Sequence, residues 1–143
     1  MQFFRSINNR VASVLATPAL NTVLVLLARA LMAAIFLIAG YGKVTGFAGT
    51  QAYMASMGVP VALLPLVILL ELGGGLALLV GFQTRLTALA LAGFTVAAGF
   101  IFHSGADGMQ QIMFMKNLAM AGGLLFVAAL GAGPASLDAE GAR

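Results

Sequence analysis

With 143 residues, of which 62% are hydrophobic and only 8% charged, the chain is far from a soluble domain, where about a quarter of the residues carry charge. A mean hydropathy of +1.06 reads as an integral membrane protein, long enough for about four spans of roughly 20 residues and without room for an independent soluble domain. The formal charge of +3 comes from few, scattered basic residues, which argues against nucleic-acid binding; the lack of cysteine removes disulfides, thiol relays and thiolate metal sites, and a single histidine argues against a protein metal or haem site.

Residues 1–17 place Phe3, Phe4, Ile7, Val11, Val14 and Leu15 at three-to-four spacing, with Arg5, Asn8, Asn9 and Arg10 mainly on other faces. This predicts a short amphipathic helix lying in the membrane surface rather than a cleaved signal peptide, since the apolar run that follows is too long and contains Arg29. That run, from about Thr22 to Gly40, is the first span. Thr45 to Gly58, carrying Phe47, Tyr53, Met54 and Met57, reads as a short helix or loop folded onto the outer mouth of a bundle. Three further spans are expected at roughly Val61–Gly81, Leu86–Phe102 and Ile112–Leu130. The tail from Gly131 to Arg143, rich in small and polar residues, is expected to be disordered.

The expected fold class is therefore all-α: a four-helix transmembrane bundle over residues 18–130 behind an interfacial segment over residues 1–17. Arg5, Arg10, Arg85 and Arg143 fall on one side and Lys43 with Lys116 on the other, so both termini are expected in the cytoplasm. Small residues such as Gly73, Gly74, Gly75, Gly93, Ala97, Ala119 and Gly123 permit close helix approach. Gly74 and Gly75 stand out because they share a face with Glu71.

Ionisable side chains at membrane depth are costly, which makes Arg29, Glu71 and Lys116 the first candidates for function. At about 1.5 Å per residue, Arg29 lies roughly 16 Å below the outer end of the first span and Glu71 roughly 15 Å below that of the second. This predicts an ion pair between them. Arg29, Ala33, Phe36, Gly40 and Lys43 form one stripe at i, i+4, i+7, i+11 and i+14. With Glu71, His103, Lys116 and Asn117, and with Tyr41, Tyr53 and Asp107 at the rim, Arg29 and Lys43 are expected to line a pocket in the outer half of the bundle. The excess of cations over the one buried acid suits an acceptor-rich ligand, quinone carbonyls or a small anion. Against this stands a purely structural reading, in which Arg29 and Glu71 lock helices while Lys43 and Lys116 reach the headgroups. Met109, Met113, Met115 and Met120 read as packing or lipid-facing residues.

The ordered set Arg29, Phe36, Gly40 and Lys43, then Met57-Gly58-x-Pro60, Glu71-Leu72-x-Gly74-Gly75, Gly81-x-x-Thr84-Arg85 and Lys116-Asn117 resembles the DoxX family of small four-helix membrane proteins over about residues 25–130. The resemblance implies a bacterial inner-membrane protein. Relatives in that family form the small membrane subunit of thiosulfate:quinone oxidoreductase, and others belong to oxidative-stress complexes. It would make Arg29, Glu71, Lys116 and Asn117 the functional core. Related proteins that work through cysteine pairs offer no mechanism for this cysteine-free chain.

The leading expectation is a quinone-interacting membrane subunit or accessory of a redox complex, with a quinone as the bound molecule, electrons arriving from a substrate or a redox partner subunit, and Glu71 or His103 exchanging protons. Alternatives are a small-anion or proton carrier or channel, for which a homo-oligomer is expected, and a non-catalytic assembly or scaffold protein.

Overall fold

The computed structural model describes residues 1–141 and is helical almost throughout. Helix α1 (Gln2–Leu15) precedes α2 (Pro18–Thr45), a short α3 (Phe47–Ser56), a single 3₁₀ turn (Val61–Leu63) leading into α4 (Leu64–Val80), then α5 (Thr84–Phe102), α6 (Gly108–Leu130) and a last turn, α7 (Leu137–Glu140). Four of these, Pro18–Thr45, Val61–Val80, Thr84–Phe102 and Gly108–Leu130, are long and apolar enough to cross a membrane. All four expected spans and the short N-terminal helix are present.

Local chemistry sets the boundaries. Pro18 opens α2, where its missing N–H costs nothing. Asp107 caps α6 by accepting the Gln110 N–H at 2.9 Å. The α4–α5 turn is tight because Gly81 (φ +72°) and Gln83 (φ +45°) both adopt the left-handed conformation. At Gly81 a Cβ would also run into Ser136 and the Arg29 guanidinium, so only glycine fits there.

Two antiparallel pairs, α2 with α4 and α5 with α6, make the most extensive contacts, and the α4–α5 contact joins them. Glycine sets the closeness of the first pair. A Cβ on Gly75 would lie 2.9 Å from Leu37 Cδ2, and one on Gly40 would lie 2.8 Å from Leu72 Cγ. Gly74 instead faces Leu91 of α5, so both glycines that share a face with Glu71 serve packing. The core is small: Ala33, Phe36, Leu78, Ala88, Leu91, Ala92, Ala121 and Leu124. Large apolar side chains such as Ile38, Leu69, Leu86 and Phe126 point outward, an arrangement that lipid tails solvate and water would not.

No residue of α1 is buried, and its apolar residues, Phe3 and Phe4 among them, find no cover within the chain. This leaves the helix free to lie against a bilayer surface. The tail departs from expectation. Residues 131–140 form an ordered strap across the end of the bundle where α2 and α5 begin. Asp138 N–H donates to Gly81 O (2.9 Å), and the Asp138 carboxylate accepts the N–H groups of Gln83 and Thr84 at 2.7 and 2.8 Å. Polar, glycine-rich composition does not preclude order when buried donors and acceptors elsewhere supply partners. Arg143 lies outside the described residues.

Candidate functional site

The stripe anticipated on the first span is the buried face of α2: its buried residues are Arg29, Ala33, Phe36 and Gly40, and Lys43 continues the line. Its two cations, however, belong to different sites at opposite ends of the bundle.

Arg29 is 2% exposed and does not pair with Glu71. Its guanidinium donates from Nη1 to Ala132 O (2.6 Å) and from Nη2 to Leu79 O (3.0 Å) and Ala135 O (3.0 Å), tying α2 to the end of α4 and to the strap. The expected pair fails on register. The antiparallel alignment sets Gly40, not Arg29, against Glu71 and Leu72, and eleven residues of helix separate Gly40 from Arg29, about 16 Å. The C-terminal end of α2 lies at Thr45, five residues beyond the apolar run, which places Arg29 that much farther from that end.

Glu71 takes Lys43 instead. Lys43 Nζ lies 2.8 Å from both carboxylate oxygens. Donor geometry is satisfied at Oε1; the contact with Oε2 is ionic, and that buried oxygen keeps hydrogen-bonding capacity. Side chains on a helix lean toward its N-terminus, so Lys43 reaches down from the end of α2 to the level of Glu71.

This pair forms part of the wall of a partly open cavity of ≈ 440 Å³ lined by residues of α2 to α6. Most of the lining is apolar, with Phe36, Met54, Phe94 and Phe102 prominent, and its polar members are Lys43, Glu71, Thr50, Tyr53, Thr95, His103 and Asn117. The volume lies within the range of small-molecule sites, roughly 300–1,000 Å³. Helix α3 covers the mouth as expected, and Tyr53 stacks on Phe102 with ring centroids 5.4 Å apart. His103 Nδ1 is 2.9 Å from Gln110 Oε1, a contact in which Nδ1 donates when it carries the ring proton.

Four of the six candidate site residues thus meet: Lys43, Glu71, His103 and Asn117. Arg29 lies at the far end. Lys116 is exposed outside the cavity, with only Met113 Sδ at 3.4 Å, in a groove between α5 and α6. Of the rim residues, Tyr53 joins the cavity, Tyr41 is exposed, and Asp107 is spent on capping α6. Met120 lines the cavity and packs on the core, whereas Met109 and Met115 are exposed.

Thr95 was not anticipated. It is 2% exposed in mid-α5, lines the cavity, and its hydroxyl has no hydrogen-bond partner. A hydroxyl at the middle of the apolar run 86–102, well beyond Thr87 at its start, was the available signal, and its i+7 relation to Phe102 places both on one face. The Asn117 carboxamide likewise makes no hydrogen bond among the described residues, so the cavity presents uncommitted polar groups to an apolar space.

The comparisons agree with this architecture. The family model described as DoxX matches residues 24–104. The chain is 58% identical over 120 residues to inner membrane protein YqjF of Escherichia coli (strain K12), covering 83% of this chain and 92% of that protein. It is 37% identical over 128 residues to inner membrane protein YphA of the same organism, covering 84% and 91%. No solved structure gives a significant match.

Proposed function

Because this chain belongs to the DoxX family and its relatives YqjF and YphA are named as inner membrane proteins, we propose that it is a bacterial inner-membrane protein whose cavity holds the head group of a quinone for a redox partner. Both termini are then cytoplasmic, since Arg5, Arg10 and Arg85 share one end of the bundle.

The observation that carries this reading is the pairing of apolar walls with unspent polar groups. Lys43 and Glu71 neutralise each other, Arg29 is committed to backbone carbonyls, and Lys116 lies outside, so the cation excess expected from the sequence does not exist in the cavity. This favours a neutral ligand over an anion and weakens the anion-carrier alternative. A quinone ring is neutral and apolar with two acceptor oxygens, which suit the Asn117 amide, the Thr95 hydroxyl and a remaining Lys43 proton.

Reduction to the quinol consumes two electrons and two protons. The electrons come from a partner subunit. Protons pass through His103, whose ring lines both the cavity and the outer groove, and through the Glu71 carboxylate.

The test is mass spectrometry of small molecules extracted after purification in mild detergent. Wild type and Lys116→Ala should retain a quinone, while the cavity-filling Ala98→Phe and the donor-removing Asn117→Leu, still folded by circular dichroism, should lose it. No quinone in wild type, or equal retention in Ala98→Phe, would refute the proposal.

A further inference from the structure

Lys116 is the cation that the cavity does not use. It lies eight residues into α6, about 12 Å along the axis from Gly108, is exposed among apolar neighbours, and has no carboxylate within ionic reach among the described residues. Glu71 is taken by Lys43, Asp107 by the start of α6, and Asp138 lies at the other end. Its contact with Met113 Sδ, one turn earlier, shows the chain bent back toward the α6 N-terminus.

That direction leads along a groove lined by Phe100, Phe114, Met115 and Ala119 on the apolar side and by Ser104, Gly105 and Ala106 at its mouth. Phe100 and Phe114 meet edge to face at 5.0 Å and give the groove a firm floor. The backbone N–H groups of Ser104, Gly105 and Ala106 have no acceptor among the described residues. The groove is therefore apolar along its length and donor-rich at one end, with one unneutralised cation between.

We infer that the α5–α6 groove is a binding site for an anionic phospholipid, an acyl chain lying against Phe100, Phe114 and Ala119 and the phosphate held by Lys116 Nζ and the 104–106 loop. Charge complementarity selects the occupant: a lone ammonium inside the apolar zone is stabilised by a phosphate that arrives with its own hydrocarbon, whereas a second copy of this face would oppose Lys116 to Lys116. The inference is independent of what fills the inner cavity, because the two spaces share only His103 among their lining residues.

The chain has no tryptophan, so Met115→Trp, at an exposed position in the groove, supplies a single reporter whose emission brominated lipids quench on contact. In vesicles of mixed composition, brominated phosphatidylglycerol should associate with the site about 5-fold better than brominated phosphatidylcholine, the ratio that ~1 kcal/mol per basic residue at a membrane surface gives. Lys116→Gln in the same background should bring the ratio to about one, and Lys116→Arg should keep it. An equal response to both lipids, or a preference that survives Lys116→Gln, would overturn the inference. So would protection from both lipids accompanied by cross-linking between copies at position 115, which would mean that another protomer covers the groove.

Discussion

Replacing Arg29 with methionine keeps the length and apolar stem of the side chain and removes its charge. The structure then loses three hydrogen bonds, to Leu79 O, Ala132 O and Ala135 O. Hydrogen bonds from a charged donor contribute about 1.5–3 kcal/mol each, but the three share one guanidinium, and carbonyls at the bundle end can recover water. The expected loss is therefore about 3 kcal/mol rather than the full sum. It should appear in reversible unfolding in mixed detergent micelles, and hydrogen exchange should show lost protection at the Asp138 N–H, which bonds Gly81 O, and at Gln83 and Thr84. A double-mutant cycle sharpens the test. Arg29 lies about 16 Å from the level of Glu71, so Arg29→Met and Glu71→Gln should add within about 0.5 kcal/mol, whereas Lys43→Met and Glu71→Gln should couple by about 1–3 kcal/mol. Coupling above about 1 kcal/mol between Arg29 and Glu71, or an unchanged strap, would refute the assignment.

Lys43→Met alone leaves the 4%-exposed Glu71 without its counter-ion and should cost about 3–5 kcal/mol in the same unfolding assay, most of it recovered in Lys43→Met with Glu71→Leu. Gly75→Ala, whose Cβ would press on Leu37, should destabilise by about 1–3 kcal/mol, while Gly73→Ala, with nothing nearer than 3.9 Å, should be neutral or mildly stabilising. At the strap, the Thr84 side chain first, then the Thr84 and Gln83 backbone N–H groups and the Arg29 charge, hold the Asp138 carboxyl below its usual range against the opposing effect of burial. A depressed folded-state pKa contributes stability above the ordinary aspartate value of about 3.9 and loses it as pH falls through the folded value. Limited proteolysis of the strap should therefore rise below about pH 4, and Asp138→Asn should abolish that dependence.

The span pattern and the buried stripe of α2 were legible in the sequence because helical periodicity survives any error in where a helix ends. The partner of each charge was not. Hydropathy closed the first span at Gly40, but α2 continues to Thr45, and each residue of error moves a side chain about 1.5 Å in depth. Two charges placed level by that count belong to different ends. Side-chain lean added to the error, since Lys43, placed on the pocket wall but not paired with the acid, turns inward to Glu71. The strap was hidden for another reason: its order comes from Arg29, Gly81 and Thr84, more than 50 residues earlier in the chain, and local composition carries no trace of such partners. Asn117 was legible as a polar residue in an apolar run; Thr95, equally so, was passed over.

The contact between Arg29 and Ala132 spans 103 positions. When α2 enters the membrane during synthesis, the carbonyls that will hold its arginine have not been translated, and neither has the α4 terminus that supplies Leu79 O. The guanidinium must spend that interval with water or lipid phosphate at the near surface, which fixes α2 close to that surface until the rest of the chain emerges. The first charge to be inserted is thus among the last to be satisfied, and closing the strap over it marks the completion of assembly.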